Sequence, residues 1–498
     1  MNVRRYQKWA MSGLAIMLAG AMMVGTAASG GGMTAQAAET ESSDTVSTQK
    51  AVTSDAASLL FTEKHITSDL TLPAIGASGT TISWKSSNPS VLSNEGKVTR
   101  PKKGAADEEV TLKGTVKMGD YAKARKFAFV VLAESEMGPT KEFALDQVEL
   151  LDDYYLTAQN SDIEFLKKFD NDRLLSRFRE TAGLDTKKIA PYGGWEDGWL
   201  GGHSVGHYLT AIAQAVKATG NADLKEKSKQ LIKGLAECQN KLGTGFIFGA
   251  KIETEGYVEK QFDILEGKTT GSTWVPWYNM HKMLTGLVDT YKYTGNKQAL
   301  EVAKKLGDWI YNRVSKWDAG TQGRVLGTEY GGMNDCLYEL YLCTRDSKHL
   351  EAAHKFDQPN LYKTVAKGGK NCLNGKHANT TIPKFLGALK RYVVLEQTGE
   401  LTKDDEAYLT NVEKFFDIAV TRHAYITGGV SVMEHFRKDN NQDGTRTQTN
   451  CESCCAHNML KMAKELYKVT GDKKYADYYE TTLRNSIMGA VKSESGAA

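Results

Sequence analysis

Two hydrophobic patterns divide the chain. Between residues 56 and 134, apolar residues alternate with polar ones over short segments, as at Ile82 and Trp84 or at Phe127 and Phe129. A period of two is typical of strands that bury one face. Asn88-Pro89 and Asn94-Glu95-Gly96 separate these segments and are typical of turns. The pattern therefore predicts a small all-β sandwich over residues 56–135.

From Phe143 onward the pattern instead predicts amphipathic helices joined by short turns. Glycine is favoured just after a helix C-terminus, and Asn or Asp at the next N-cap. A phrase of this kind recurs, which predicts a series of helix hairpins. Its copies are Thr219-Gly220-Asn221, Thr294-Gly295-Asn296, Thr344-Arg345-Asp346, Thr398-Gly399-Glu400 and Thr470-Gly471-Asp472.

Such hairpins stack into an open solenoid or close into an all-α (α/α)6 barrel. Solenoid repeats keep a near-constant period, whereas these phrases are unevenly spaced, with Gly- and Trp-rich insertions between them. A barrel tolerates insertions at one end, where loops build a site. We therefore predict a multidomain protein with an (α/α)6 barrel over residues 143–498.

The N-terminus has the composition of an export signal. Arg4, Arg5 and Lys8 precede an apolar run that ends near Ala28, and Ala35-Gln36-Ala37 has the small-residue pattern of a cleavage site. An uncleaved anchor is the alternative, since about 20 apolar residues span a bilayer. Glycines interrupt the run and favour cleavage. The sequence predicts a signal peptide over 1–37, a linker over 38–55, and a secreted or cell-surface bacterial protein without a membrane segment after cleavage.

Charge and composition limit the partners. The formal net charge is +3, and the three basic residues of the leader account for all of it. The remainder gives no electrostatic case for binding nucleic acid or an anionic membrane. A chain of 498 residues with 41% apolar content is long enough for several domains and at least one large core.

Four of the ten histidines lie in Gly- or aromatic-rich phrases at predicted helix starts. They are His203, His207, His281 and His377. Neutral imidazoles exchange hydrogen bonds with sugar hydroxyls, and aromatic faces pack against sugar C–H groups. Each histidine is also compatible with a structural role. His203 and His207 have the i, i+4 spacing of a metal pair, but Ser204 stands where a zinc protease carries its glutamate.

Two acidic phrases add candidate chemistry. In Cys451-Glu452-Ser453-Cys454-Cys455, thiolates and a carboxylate within one helical turn suit zinc, although a disulfide or buried thiols explain the same cluster. Glu434 follows a Gly-Gly turn and is flanked by Met433 and Phe436. Apolar surroundings favour the protonated form of a carboxyl group, as a general acid requires. An ordinary surface glutamate is the alternative.

Six ordered phrases resemble the β-L-arabinofuranosidases of glycoside hydrolase family 127 and close relatives. They are Gly-Gly-His-Ser-Val-Gly-His-Tyr-Leu at 201–209, Trp-Tyr-Asn-Met-His-Lys at 277–282, Glu-Tyr-Gly-Gly-Met-Asn-Asp at 329–335, His-Ala-Asn-Thr-Thr-Ile-Pro-Lys at 377–384, Ile-Thr-Gly-Gly-Val-Ser-Val-Met-Glu-His-Phe at 426–436 and Cys-Glu-Ser-Cys at 451–454. The preceding strands, with Ile-Ser-Trp-Lys-Ser-Ser-Asn-Pro at 82–89, resemble bacterial immunoglobulin-like domains.

The resemblance implies a retaining hydrolase of plant arabinose-containing glycans, built on an (α/α)6 barrel followed by β-domains. In the family, a cysteine attacks the anomeric carbon, zinc bound by one Glu and three Cys keeps that thiol deprotonated, and another Glu protonates the leaving oxygen. It implies that Glu434 is the acid/base and that Glu452 and Cys454 bind zinc. His281 and His377 match sugar-contacting histidines, and His203 and His207 match less closely.

One family feature has no counterpart in these residues. The nucleophile and the last zinc ligand are an adjacent Cys pair downstream of the barrel helices, and the sequence ends in Ser-Glu-Ser-Gly-Ala-Ala without one. The resemblance therefore predicts an incomplete zinc site and missing C-terminal β-domains. Two other functions stay open. One is another (α/α)6 sugar enzyme, such as an unsaturated glucuronyl hydrolase or a polysaccharide lyase, and the other is a non-catalytic glycan-binding protein.

Overall fold

The computed structural model describes residues 43–61, 65–67, 69–102, 105–133, 140–196, 198–250, 257–445 and 449–490. The predicted signal peptide and the first residues of the predicted linker lie outside these ranges. Within them, no helix is both long enough and apolar enough to cross a bilayer.

Four strands and sixteen α-helices form the regular structure of the described residues. The strands are β1 (His65–Ile66), β2 (Thr81–Ser86), β3 (Glu108–Met118) and β4 (Tyr121–Val131). The helices are α1 (Ser43–Ser58), α2 (Asp153–Lys167), α3 (Asn171–Thr181), α4 (His203–Thr219), α5 (Ala222–Leu242), α6 (Lys260–Leu265), α7 (Pro276–Thr294), α8 (Lys297–Val314), α9 (Ala319–Gly327), α10 (Met333–Thr344), α11 (Ser347–His354), α12 (Pro359–Ala366), α13 (Ala378–Thr398), α14 (Glu406–His423), α15 (Ser453–Thr470) and α16 (Lys473–Thr482).

The described residues form two compact units. One contains residues 43–61, 71–85 and 112–127, and the other contains the rest. The strands form one sheet in the order β1-β4-β3-β2, with β1 parallel to β4 through the pairs His65↔Val130 and Ile66↔Val131. A small sheet region followed by a long helical region confirms the predicted fold class.

The first unit packs a helix against its strands. Val52 and Ala56 of α1 pack against Ile82 and Val116, together with Leu59 just after the helix. Their spacing places them on one face of a helix, so the linker prediction is wrong from residue 43 onward. On this face the covering layer is a helix, whereas a sandwich would place a second sheet there.

The second unit is built from inner and outer helices. We call α4, α7, α10, α13 and α15 the inner helices, because consecutive members pack side by side. After each inner helix the chain turns back into an outer helix, in the order α5, α8, α11, α14 and α16. Within the described residues this arrangement gives five helix hairpins, as the recurring phrase predicts.

The turns between inner and outer helices have the predicted capping chemistry. Gly220, Gly295, Gly399 and Gly471 adopt left-handed φ angles between 68° and 74°, and Arg345 adopts 57°. Asn221 then accepts a hydrogen bond from the Leu224 amide at 3.0 Å. Asn296, Asp346 and Asp472 cap their helices in the same way. Glu400 does not, because α14 begins later, at Glu406.

The burial of His354 on α11 predicts that the fold loses stability in acid. Its Nε2 is buried and has no hydrogen-bond partner among the described residues. Burial lowers the pKa of His354 to about 4, with Arg391 adding to the effect and Asp405 opposing it. In the unfolded chain, where histidines titrate near pH 6.5, residue 354 is protonated at a higher pH than in the folded protein. The stabilisation is therefore complete above about pH 6.5 and is lost as the pH falls towards 4.

We expect the free energy of unfolding of His354→Gln to fall less between pH 7 and pH 4 than that of the wild type. The wild type should lose about 1–3 kcal/mol more than the variant over this window. Urea unfolding at pH 7, 5.5 and 4.5 measures the difference. Equal losses in both proteins would show that His354 does not contribute to the acid sensitivity.

Candidate active site

The predicted site residues gather where the inner helices begin. His203 is the first residue of α4, and His281 lies near the start of α7. His377 is the N-cap of α13, and Glu452 is the N-cap of α15. Because these helices pack side by side, the four residues belong to the same end of the helical region.

A cavity of about 550 Å³ opens among the inner helices. His207, His281 and Cys454 line it, together with buried charged groups that include Lys282 and Asp335. The volume lies within the range of about 300–1,000 Å³ that small-molecule sites occupy. The cavity therefore offers polar groups to a ligand of monosaccharide or disaccharide size.

His281 is held in one tautomer by the backbone. Its Nδ1 accepts a hydrogen bond from the Gly332 amide at 3.0 Å, so the neutral ring carries its proton on Nε2. A Cβ on Gly331 would lie 2.5 Å from Nδ1, which explains why glycine is needed beside this ring. Burial lowers the pKa of His281 well below its usual value. The side chain is therefore a neutral hydrogen-bond donor beside the cavity.

His377 and Glu434 come together from distant parts of the chain. The Thr380 amide donates to Nδ1 of His377 at 3.1 Å, as in an N-cap. The other ring nitrogen, Nε2, lies 3.4 Å from Oε2 of Glu434. The Ala378 amide donates to the Glu434 carbonyl at 2.7 Å and fixes the two segments to each other. An imidazole and a carboxyl group thus lie in contact with each other near the start of α13.

The loop that carries Glu434 has an unusual backbone. Ser431, Met433 and Glu434 have φ angles of 88°, 46° and 64°, which cost of order 1–3 kcal/mol each in a residue with a side chain. Hydrogen bonds between Val432 and His435 close the turn. The side chain of Glu434 is 55% exposed, and Met433 is exposed as well. The apolar enclosure expected from the sequence is therefore not formed.

Glu452 and Cys454 lie together at the start of α15. The side chain of Glu452 accepts no hydrogen bond from the first backbone amides of α15. Its Oε2 lies 3.6 Å from the thiol of Cys455. Burial raises the pKa of Cys454 to about 11, and the charge of Glu452 adds to the effect. The protein surroundings alone therefore leave this thiol protonated at neutral pH.

The residues at this point fit part of a zinc site. A carboxylate and a thiol of the right type are adjacent, and a bound cation reverses the electrostatic cost of ionising the thiol. Among the described residues, however, no third donor converges on Glu452 and Cys454. The one described group of three potential metal donors lies elsewhere, at Asp308, Asp346 and His349.

The ring of His203 contacts the segment just before α4. Its Nδ1 lies 3.0 Å from Oε1 of Glu196 and 2.7 Å from the Leu200 carbonyl. Glu196 also accepts from the amides of Gly202 and Ser204 and thereby caps α4. His207 contacts His203 edge to face, with ring centroids 6.1 Å apart. No third metal donor joins this pair in the described part of the chain, so the metal alternative gains no support.

Two charged residues near these candidates were not predicted from the sequence. Lys282 is buried, its Nζ lies 4.6 Å from the ring centre of Tyr278, and burial lowers its pKa to about 8. Burial also raises the pKa of Glu329, while the neighbouring His377 opposes the shift. Both residues stand inside the quoted phrases at 277–282 and 329–335. Their position inside these phrases is the signal that could have identified them as candidates.

Comparison with known proteins defines the class of this domain. Residues 147–498 match the family model for the catalytic domain of β-L-arabinofuranosidases of glycoside hydrolase family 127. Residues 42–134 match the model of the atrophied bacterial immunoglobulin-like domain. The fold is thus that of a glycoside hydrolase catalytic domain preceded by an immunoglobulin-like domain. Because the family model covers well over half of the sequence, the chain belongs to glycoside hydrolase family 127.

Two solved structures illustrate the likeness. A β-arabinofuranosidase of family 127 superposes with a TM-score of 0.52 and 19% identity, over 72% of this chain and 55% of its own. A family 127 β-L-arabinofuranosidase from Geobacillus stearothermophilus T6 gives 0.50 and 16%, over 70% and 57%. At these identities the likeness establishes the fold. The chain spans little more than half the length of these enzymes, and no curated protein matches it.

Proposed function

We propose that the protein is a secreted hydrolase that removes β-L-arabinofuranose from plant glycans with retention of configuration. The observation that carries the proposal is the pairing of His377 with Glu434, 3.4 Å apart. This contact supports the proposal because a candidate sugar-binding histidine lies close to a candidate proton donor. Membership of family 127 supports the reaction class.

Glu434 is the acid/base in this proposal. Its half-exposed carboxyl group gives a proton to the leaving oxygen as the glycosidic bond breaks. The Nε2–H of His377 then stabilises the carboxylate that results. In the second step the same carboxylate accepts a proton from the attacking water. His281, held neutral with its proton on Nε2, donates to a sugar hydroxyl.

Glu452 and Cys454 would hold the zinc ion of the family. A bound zinc supplies thiolate character at neutral pH, which the protein surroundings do not provide. Burial raises the pKa of Cys455 too, with Glu452 adding to the effect. Neither Cys454 nor Cys455 is therefore ionised by its protein neighbours. As the resemblance implies, the nucleophile that attacks the anomeric carbon as the glycosidic bond breaks would be a cysteine of the adjacent pair that the family carries downstream of the barrel helices.

Substrate selectivity tests the proposed function. The natural gene product, with zinc and a thiol reductant, should release arabinose from an aryl β-L-arabinofuranoside. An aryl α-L-arabinofuranoside and an unsaturated glucuronyl disaccharide serve as matched alternatives. NMR of the first product should show the β-anomer. Release of the unsaturated uronic acid alone would contradict the proposal and favour the glucuronyl hydrolase reading. Binding of arabinosides without turnover would favour the non-catalytic reading.

A further inference from the structure

A second cluster of metal-type donors lies on the outer helices. Asp308 is on α8, Asp346 is the N-cap of α11, and His349 lies in the first turn of α11. One donor atom from each residue lies within 4.8 Å of the other two. His349 is fully buried, while the side chain of Asp308 is 45% exposed. The cluster therefore has a buried nitrogen ligand and an open side.

The contacts of Thr344 suit a His349 ring that is protonated on Nδ1. The Thr344 hydroxyl donates its single proton to the Leu340 carbonyl at 3.0 Å. Its oxygen accepts from the Asp346 amide at 3.3 Å and lies 2.8 Å from Nδ1 of His349. When the hydroxyl proton goes to the Leu340 carbonyl, Nδ1 is the donor in this contact. In the neutral ring, Nε2 then carries a lone pair.

That lone pair faces a carboxylate oxygen. Nε2 of His349 lies 3.9 Å from Oδ1 of Asp308, and neither atom has a hydrogen-bond partner among the described residues. Burial lowers the pKa of His349, although Asp346, Asp308 and the Lys304 carbonyl oppose the shift. Two facing acceptors repel each other unless a cation lies between them. A buried acceptor without a partner is costly.

We propose that His349, Asp308 and Asp346 bind a first-row divalent cation such as Zn²⁺ or Mn²⁺. An imidazole nitrogen with two carboxylates suits these ions better than Ca²⁺ or Mg²⁺, which prefer oxygen ligands alone. The Nδ1–H bond to Thr344 is the outer-shell contact that orients a metal-binding histidine. The site is independent of Glu452 and Cys454 and of the proposed hydrolase activity.

The geometry requires a small closure on binding. Two ligands of a tetrahedral zinc ion lie roughly 3.3–3.6 Å apart, against 3.9 Å between Nε2 and Oδ1. A side-chain rotation of the half-exposed Asp308 supplies the difference. Lys348 Nζ, 3.7 Å from the same oxygen, is half exposed and must swing away. His349 packs closely against α8, since a Cβ on Gly307 would lie only 2.6 Å from Nε2.

Cobalt titration of the metal-free protein tests the site. The Cys454→Ser variant serves as the parent, since it removes a thiolate from the candidate zinc site. We expect one Co²⁺ to bind with visible d–d bands and without a thiolate-to-cobalt charge-transfer band. Asp308→Asn, at a half-exposed position that tolerates the change, should weaken binding at least tenfold. Thr344→Val should weaken it roughly 10- to 100-fold through the outer shell.

Glu301→Gln on the same helix is the matched control, because it removes the same charge from an exposed residue outside the cluster. It should bind Co²⁺ like the parent. Equal binding by the parent and Asp308→Asn would overturn the proposal. So would an NMR spectrum showing His349 protonated on both nitrogens at neutral pH in the presence of Zn²⁺, since the contact would then be an ion pair.

Discussion

Replacing Glu434 with glutamine is expected to slow the hydrolysis of β-L-arabinofuranosides with poor leaving groups by roughly 10²- to 10⁴-fold. The amide cannot donate a proton to the leaving oxygen. An activated aryl glycoside needs less proton donation and should lose less. Rates on an alkyl and a nitrophenyl arabinofuranoside, measured with the natural gene product and its variant, give the comparison.

Glu351→Gln provides the matched control for this prediction. Glu351 is an exposed glutamate on α11, so its replacement changes the net charge equally without touching the candidate site. It should retain full activity on both substrates. If Glu434→Gln lost little and lost equally on both, Glu434 would have no role in protonating the leaving group.

Gly206→Ala is expected to destabilise the helical region by about 3 kcal/mol or more. The backbones of α4 and α7 touch at this point. A Cβ on Gly206 would lie 2.0 Å from the Lys282 carbonyl oxygen, and a Cβ on Gly286 would lie 2.5 Å from the Gly206 carbonyl oxygen. Neither obstacle is a flexible side chain. The two inner helices must therefore separate to admit a methyl group.

Thermal unfolding measures this effect. The melting temperature of Gly206→Ala should fall by about 4 °C or more, and the soluble yield should fall with it. Gly323→Ala is the control, because Gly323 lies in the exposed helix α9 with no atom within 4 Å of the added Cβ. There alanine should be neutral or slightly stabilising. An unchanged melting temperature for Gly206→Ala would show that the helices are not packed this closely.

The helix hairpins were predictable because their signals are local. A glycine in left-handed conformation and an Asn or Asp cap are decided by the few residues around each turn. Gly220 and Asn221 illustrate both. Helix α1 was missed for the opposite reason. Its composition is polar, and only the burial of Val52 and Ala56 shows that it is part of the folded domain.

The sequence supplies candidate residues for the site but not their geometry. The phrases identify His281, His377 and Glu434, but no local rule places Glu434 beside His377. That contact depends on three non-glycine residues with positive φ between 431 and 434, which sequence preferences disfavour. The exposure of Glu434 and the tautomer of His281 likewise depend on contacts from other helices. Tertiary structure decides them, so sequence patterns cannot.

We propose above that Glu434, His281 and His377 bind an arabinofuranoside at the starts of the inner helices. A crystal structure of the Glu434→Gln variant with a β-L-arabinofuranosyl disaccharide tests it most directly. We expect the glycosidic oxygen to lie within about 2.6–3.2 Å of the residue 434 side chain, with sugar hydroxyls hydrogen-bonded to His281 and His377. A disaccharide bound elsewhere, or with its glycosidic oxygen far from residue 434, would contradict it.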